Sequence, residues 1–254
     1  MVGSTALSCG AFFMSDKITS ADNSPKRIGL LGGMSAASSQ LYYAELCRLT
    51  QVERGGLSSP DLMLRSLDFA PLEAWMASGN WDAIALTLSR EATQLQAAGA
   101  EVIALATNTM HHIAAEIEAV INVPFVHIAD ATAAALNAAG RKTPGLIGTQ
   151  FTMEQAFYLD RLRDKGLDPL VPAASARSVL NDIIFGELCK GIVRTDSADK
   201  FIKAATELAF DGADSLILGC TEVCMLLNEN NTPLPVFDTT SIHCQAILNA
   251  AWNY

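Results

Sequence analysis

Two segments of the chain end on residues that can move a proton. Ser215 to Thr221 (SLILGCT) places Cys220 at the end of an apolar run, and Val102 to Asn108 (VIALATN) places Thr107 at the matching position of another. A thiol there is a candidate base: helix N-termini stabilise anions and pull a thiol down from its free pKa of about 8.5. A threonine hydroxyl is a poor base, but it can donate a proton or relay one. Positions related in this way by a repeat would face each other across a cleft between the two halves. Each residue also has a plainer use, Thr107 as a helix cap and Cys220 as a small core residue. His111 and His112 follow Thr107 closely. Being adjacent they point in different directions, and His111 is the candidate proton relay.

Other polar residues cluster at the ends of apolar runs. Gly32-Gly33-Met34-Ser35, Thr107 to His111, Gly148 to Met153 and Gly219 to Glu222 each follow one. In parallel sheets, ligands bind beyond the carboxyl ends of the strands, so these four stretches are where a site belongs. The first is not a dinucleotide fingerprint. It reads Gly29-Leu-Leu-Gly32-Gly33, without the required glycine spacing. Cys220 and Cys224 have no second Cys or His pair at zinc spacing, so no metal is expected.

The elements that must position these residues alternate between strand and helix. Arg27 to Gly32, Asp61 to Leu67, Glu101 to Ala106 and Val123 to Ile128 read as buried strands. Helices are expected from Ser35 to Gln51, capped by the serine, from Trp81 to Ala98, closed by Gly99, and across the two histidines. A further helix is expected to begin at Cys220. Then the pattern restarts. PGLIGT at Pro144 echoes IGLLGG at Ile28, SLILGCT echoes VIALATN, and LPVFD at Leu234 echoes VPFVH at Val123. The offsets are 116, 113 and 111 positions (Leu31 to Ile147, Thr107 to Cys220, Pro124 to Pro235). The fold class is therefore α/β, with two pseudo-symmetric lobes, each a mostly parallel sheet flanked by helices, and a cleft between them. Residues 1–26 read as a flexible tail, with Met14 a candidate start. Residues 27–129 form lobe 1, 130–237 form lobe 2, and 238–254 pack back on lobe 1.

Composition sets outer limits. The chain has 254 residues, 17 Lys plus Arg against 27 Asp plus Glu, and a net charge of −10. That excludes nucleic acid, which needs a basic face. No apolar run reaches the roughly 18 residues of a membrane span. A chain this large needs no disulfide framework, so its six cysteines read as thiols in a reducing, cytoplasmic setting.

The stretches IGLLGGMS (Ile28 to Ser35), TNTMH (Thr107 to His111), GTQFTM (Gly148 to Met153), LGCTE (Leu218 to Glu222) and FDTTSIH (Phe237 to His243) resemble the cofactor-independent aspartate/glutamate racemase family. The resemblance runs from Arg27 to the C-terminus. It implies a two-lobed homodimer that racemises a small amino-acid substrate, aspartate or glutamate, without pyridoxal phosphate or metal. By that resemblance Cys220 is the second-lobe thiol. Thr107 stands where a first-lobe thiol would be, as in a subgroup typified by an L-aspartate/glutamate-specific bacterial racemase, so the L enantiomer is the expected favourite. Met34, Ser35, Asn108, Thr109, Thr149, Thr152, Thr221 and Glu222 would line the amino-acid site. Lys190 sits where a family lysine holds the distal carboxylate. The first-lobe cation falls near Trp75-Met76, where there is no charge, leaving Arg65 as a stand-in. Two rivals stay open: a malonate decarboxylase or maleate isomerase of the same fold, and a catalytically weak amino-acid binding or sensing protein.

Overall fold

The computed structural model describes residues 24–252; the tail assigned to residues 1–26 lies largely outside them. The first half runs β1 (Ile28–Gly32), α1 (Ala36–Arg54), β2 (Leu62–Ser66), α2 (Phe69–Ala77), α3 (Trp81–Ala97), β3 (Val102–Leu105), a 3-10 turn (Thr109–Ile113), α4 (Ala114–Glu118), β4 (Phe125–Val126) and α5 (Ile128–Ala138). The second runs β5 (Pro144–Gly148), α6 (Gln150–Glu154), α7 (Ala156–Asp164), α8 (Ala174–Gly186), a 3-10 turn (Leu188–Lys190), α9 (Thr195–Phe210), β6 (Ser215–Gly219), a 3-10 turn (Val223–Met225), β7 (Val236–Asp238) and α10 (Thr239–Trp252).

Two all-parallel sheets result, ordered β2-β1-β3-β4 and β5-β6-β7. Each has helices on both faces, because its strands are apolar on both sides: β1, β3, β5 and β6 are buried along their whole length. The repeat is visible in the order. β5, β6 and β7 take the places of β1, β3 and β4. The counterpart of β2 shrinks to a single parallel bridge between Gly145 and Leu170. Leu170 lies between Pro169 and Pro172, which have no N–H to extend a ladder.

The last helix of each half packs across to the other sheet. Ile128, Ala129, Ala133 and Leu136 of α5 bury against Leu146 and Ile217 of the second sheet. Cys244, Ile247, Leu248 and Ala251 of α10 bury against Ile28 and Leu30 of the first. No helix among the described residues is long and apolar enough to cross a membrane.

One glycine turn leads from β1 into α1 at the cleft. Gly33 has φ of +88°, and a side chain there would place its Cβ 2.1 Å from the Leu67 carbonyl oxygen. Only glycine lets the chain turn there. Ser35 then caps α1, accepting from the Ser38 amide at 3.2 Å.

Two expected helices are shorter than their sequences suggest. The histidine segment is a 3-10 turn followed by the five residues of α4. After Cys220 there is only the three-residue turn Val223–Met225. The reason lies just downstream. The Asn231 side chain donates to the Leu226 carbonyl and accepts from the Asn228 amide, so backbone groups that a helix would use are taken by side chains.

Candidate active site

Thr107 follows β3 by two residues, and Cys220 follows β6 directly. Both line one narrow cavity of about 50 Å³ between the two sheets. Met34 and Ser35 reach it from the turn before α1, Asn108 and Thr109 from the turn after Thr107, Thr149 from the end of β5, and Thr221 and Glu222 from beside the thiol. Sequence reasoning thus brought together nine of its residues. It missed Ser38, Phe69, Met76, Met110, Ile184, Phe185 and Cys189, which with Gly219 complete the lining. A signal did exist for two of these: Phe69 and Met76 are seven apart, two turns of one helix, and so share a face.

Three hydrogen bonds tie the two sheets' strand ends and the last helix together. Ser35 Oγ donates to Glu222 Oε1 at 2.9 Å, Thr109 Oγ1 lies 3.3 Å from Thr149 Oγ1, and Asn108 Nδ2 donates to Thr239 Oγ1 at 3.1 Å. Glu222 is the hub. Its Oε2 also accepts from Thr221 Oγ1 at 2.5 Å and from Cys220 Sγ at 3.1 Å. A carboxylate only 5% exposed is tolerable because three donors converge on it.

The thiol is not activated as its sequence context suggested. Burial, then the Glu222 charge and the hydrogen bond the thiol donates to that carboxylate, push Cys220 well above the ordinary thiol value. The helix expected to lower it does not form. At rest Cys220 is therefore a neutral thiol with a carboxylate positioned to take its proton.

Four expectations for individual side chains are corrected. His111 is not a proton relay. It is buried, its Nδ1 lies 2.8 Å from the Thr107 carbonyl oxygen, and its Nε2 accepts from the Ile128 amide at 3.2 Å. Both nitrogens are occupied by backbone, so the ring fixes the turn that carries Thr107. Thr152 is fully buried behind the lining and touches it through Thr149 Oγ1 at 3.0 Å. Lys190 is exposed and absent from the lining, because buried Leu188 anchors its short turn and Cys189 faces the cavity. Arg65 is held 2.6 Å from Glu91 Oε2, so it is no stand-in for a missing cation. The lining contains one carboxylate, Glu222, and no Lys, Arg or His.

His111 belongs to a buried group with His127 and His243, at ring-centroid distances of 4.5 and 5.6 Å. Burial lowers all three. His243, bonded to Tyr42 Oη and the Val126 carbonyl, falls to about 4 from 6.5. The unfolded chain therefore binds more protons than the folded one below pH 6.5, and stability falls as pH falls. For His243 the loss is about 3 kcal/mol once pH is below both values. Calorimetry should show the melting temperature dropping by about 10 °C between pH 6.5 and 4. A flat profile over that window would contradict the neutral cluster.

Two lobes of parallel sheet thus meet at a cavity that holds a thiol–carboxylate pair. The chain belongs to the Asp/Glu/hydantoin racemases, whose model matches residues 31–247. That membership places it among the racemases, an isomerase class. It is similar to the broad specificity amino-acid racemase RacX of Bacillus subtilis (strain 168), with 22% identity covering 84% of this chain and 93% of that protein. A candidate Asp/Glu racemase from Yersinia pestis superposes with a TM-score of 0.84 at 42% identity, covering 89% and 99% of the two chains. An aspartate racemase homologue from Pyrococcus horikoshii OT3 gives 0.79 at 31% identity, again covering 89% and 99%.

Proposed function

We propose that the protein racemises an amino acid by two-sided proton transfer at the α-carbon, with Cys220 and Thr107 on opposite faces and no cofactor. The observation that carries this is the convergence of two repeat-related residues on one cavity, one of them a thiol bonded to a buried carboxylate. In the forward direction Cys220 passes its proton to Glu222 Oε2. The thiolate then takes the substrate α-proton. Thr107 relays a proton from water to the opposite face, and Glu222 returns its proton to solvent. Asn108 Oδ1 is buried without a partner and suits the substrate ammonium. The turn beginning at Thr109 has no side-chain cap, so its first amides are available to the α-carboxylate, where negative charge builds as the proton leaves.

The hydroxyl makes the enzyme asymmetric. Cys220 removes the proton from the favoured enantiomer, which we take to be L, and Thr107 does the reverse task badly. Following α-proton exchange in deuterated water with each enantiomer separately tests this. Thr107→Cys should raise exchange from the D enantiomer about tenfold, since a thiol is the better base. An unchanged D rate in that variant counts against Thr107's position. The same cation-free, one-thiol lining also suits decarboxylation of a malonate. Carbon dioxide release, with no exchange from amino acids, would favour that second reading. Binding of an amino acid with neither would favour a sensor.

A further inference from the structure

The cavity at Cys220 adjoins a wider, open-mouthed chamber of about 330 Å³, with Met76 and Phe185 lining both. Beyond those two side chains the chamber wall carries the amides of Gln150, Gln155 and Asn181 and the carboxylates of Glu73 and Glu154. Glu154 is already paired with Arg177 at 2.8 Å and accepts from Gln150 Nε2. Neither space is lined by a Lys, Arg or His, and the inner one holds the carboxylate of Glu222. The outer wall is open to solvent at Glu73, Gln150 and Gln155. A distal carboxylate would nonetheless lose water in the inner cavity and where it passes Met76 and Phe185. It would have Glu222 on one side, Glu73 and Glu154 on the other, and no cation in either lining. Buried charge without a partner is strongly disfavoured.

Resting on the proposed racemase activity, we infer that the substrate is an amino acid with a long side chain that bears no negative charge. That side chain runs from the reacting carbon between Met76 and Phe185 into the chamber, where the Gln155 side-chain amide, Asn181 Nδ2 and Gln150 Oε1 hydrogen-bond a neutral polar end. The Asn181 oxygen and Gln150 Nε2 are already taken, by the Gln150 backbone amide and by Glu154 respectively. The substrate is therefore not aspartate or glutamate.

Glutamine and glutamate are nearly isosteric and differ in charge, so they isolate the effect. The experiment measures α-proton exchange in deuterated water for L-glutamine, L-methionine and L-glutamate on the wild-type enzyme. It is repeated on Cys220→Ser and on two variants that add a cation. Met76→Lys places it at the throat. Gln155→Lys places it on the exposed chamber wall, where folding is not at risk. Glutamine and methionine are expected to show kcat/KM at least about tenfold above glutamate, and a lysine variant to raise glutamate relative to glutamine at least about threefold. Cys220-dependent exchange with glutamate equal to or above glutamine overturns the side-chain assignment alone. So does failure of both lysine variants to move the ratio. Absence of exchange from all three substrates overturns the racemase reading beneath it.

Discussion

Replacing Cys220 by serine lowers α-proton exchange by about a thousandfold while leaving the fold intact. The size of the effect reflects the base removed, since a positioned general base contributes about 10² to 10⁴ in rate. A hydroxyl cannot supply a comparable anion near neutral pH. The structural cost is small. Cys220 is 7% exposed and packs with Ile147, Leu218 and Val223 in the second lobe's core. Serine is slightly smaller and can still donate to Glu222 Oε2, so that oxygen keeps its second donor beside Thr221. A melting temperature close to wild type, read beside the exchange rate, separates lost chemistry from lost structure. A variant that keeps a tenth of wild-type exchange would remove Cys220 from the base's position.

Glu222→Gln gives the second large effect and moves two rates in opposite directions. Racemisation falls by about a hundredfold, because the thiol loses the group that receives its proton. Alkylation of Cys220 by iodoacetamide at pH 8 becomes faster, because the carboxylate charge and the hydrogen bond that hold the thiol well above its ordinary value are gone. Part of the stability is lost as well. The glutamine amide is a donor where Ser35, Thr221 and Cys220 all donate, and an unsatisfied buried group costs about 1 to 3 kcal/mol. Loss of fold would also expose the buried thiol and speed its alkylation, so both rates are read well below the variant's melting temperature. Faster alkylation beside slower turnover in the folded variant is the expected result; turnover near wild type there would remove Glu222 from the proton path.

Much of this arrangement was legible in the sequence because it depends on local pattern. Buried parallel strands show as apolar runs, and ligands meet their carboxyl ends. Ser35, Thr107, Thr149 and Cys220 stand just past such runs and were marked by that position alone. The internal repeat paired Thr107 with Cys220 before any geometry was known. What was not legible depends on direction and distance. The Ser35–Glu222 contact joins residues 187 positions apart, and nothing local marks it. His111 looked available for proton transfer because its motif is polar, yet folding spends both ring nitrogens on backbone groups. Arg65 and Lys190 were read by charge, and charge does not reveal that one side chain pairs with Glu91 and the other faces solvent. The helix expected after Cys220 failed because asparagine side chains downstream capture the backbone, and with the helix went the expected activation of the thiol.

Removing that activation changes how the site works. The thiol does not wait as an anion. In the mechanism we propose it waits neutral beside Glu222, and the arrival of a substrate ammonium near Asn108 would favour charge separation within the pair. The low charge of the whole chain fits such a site, since a neutral resting thiol needs no nearby cation.

The most direct test tracks one pure enantiomer, L-glutamine or L-methionine, in deuterated water with wild-type enzyme and with Cys220→Ser. Proton NMR reads loss of the α-proton, and chiral chromatography reads the antipode. The α-proton should disappear at least as fast as the antipode accumulates in the wild type, and both processes should be nearly absent in the variant. Exchange that survives in Cys220→Ser, or an antipode that forms with its original α-proton retained, would contradict proton transfer through this thiol.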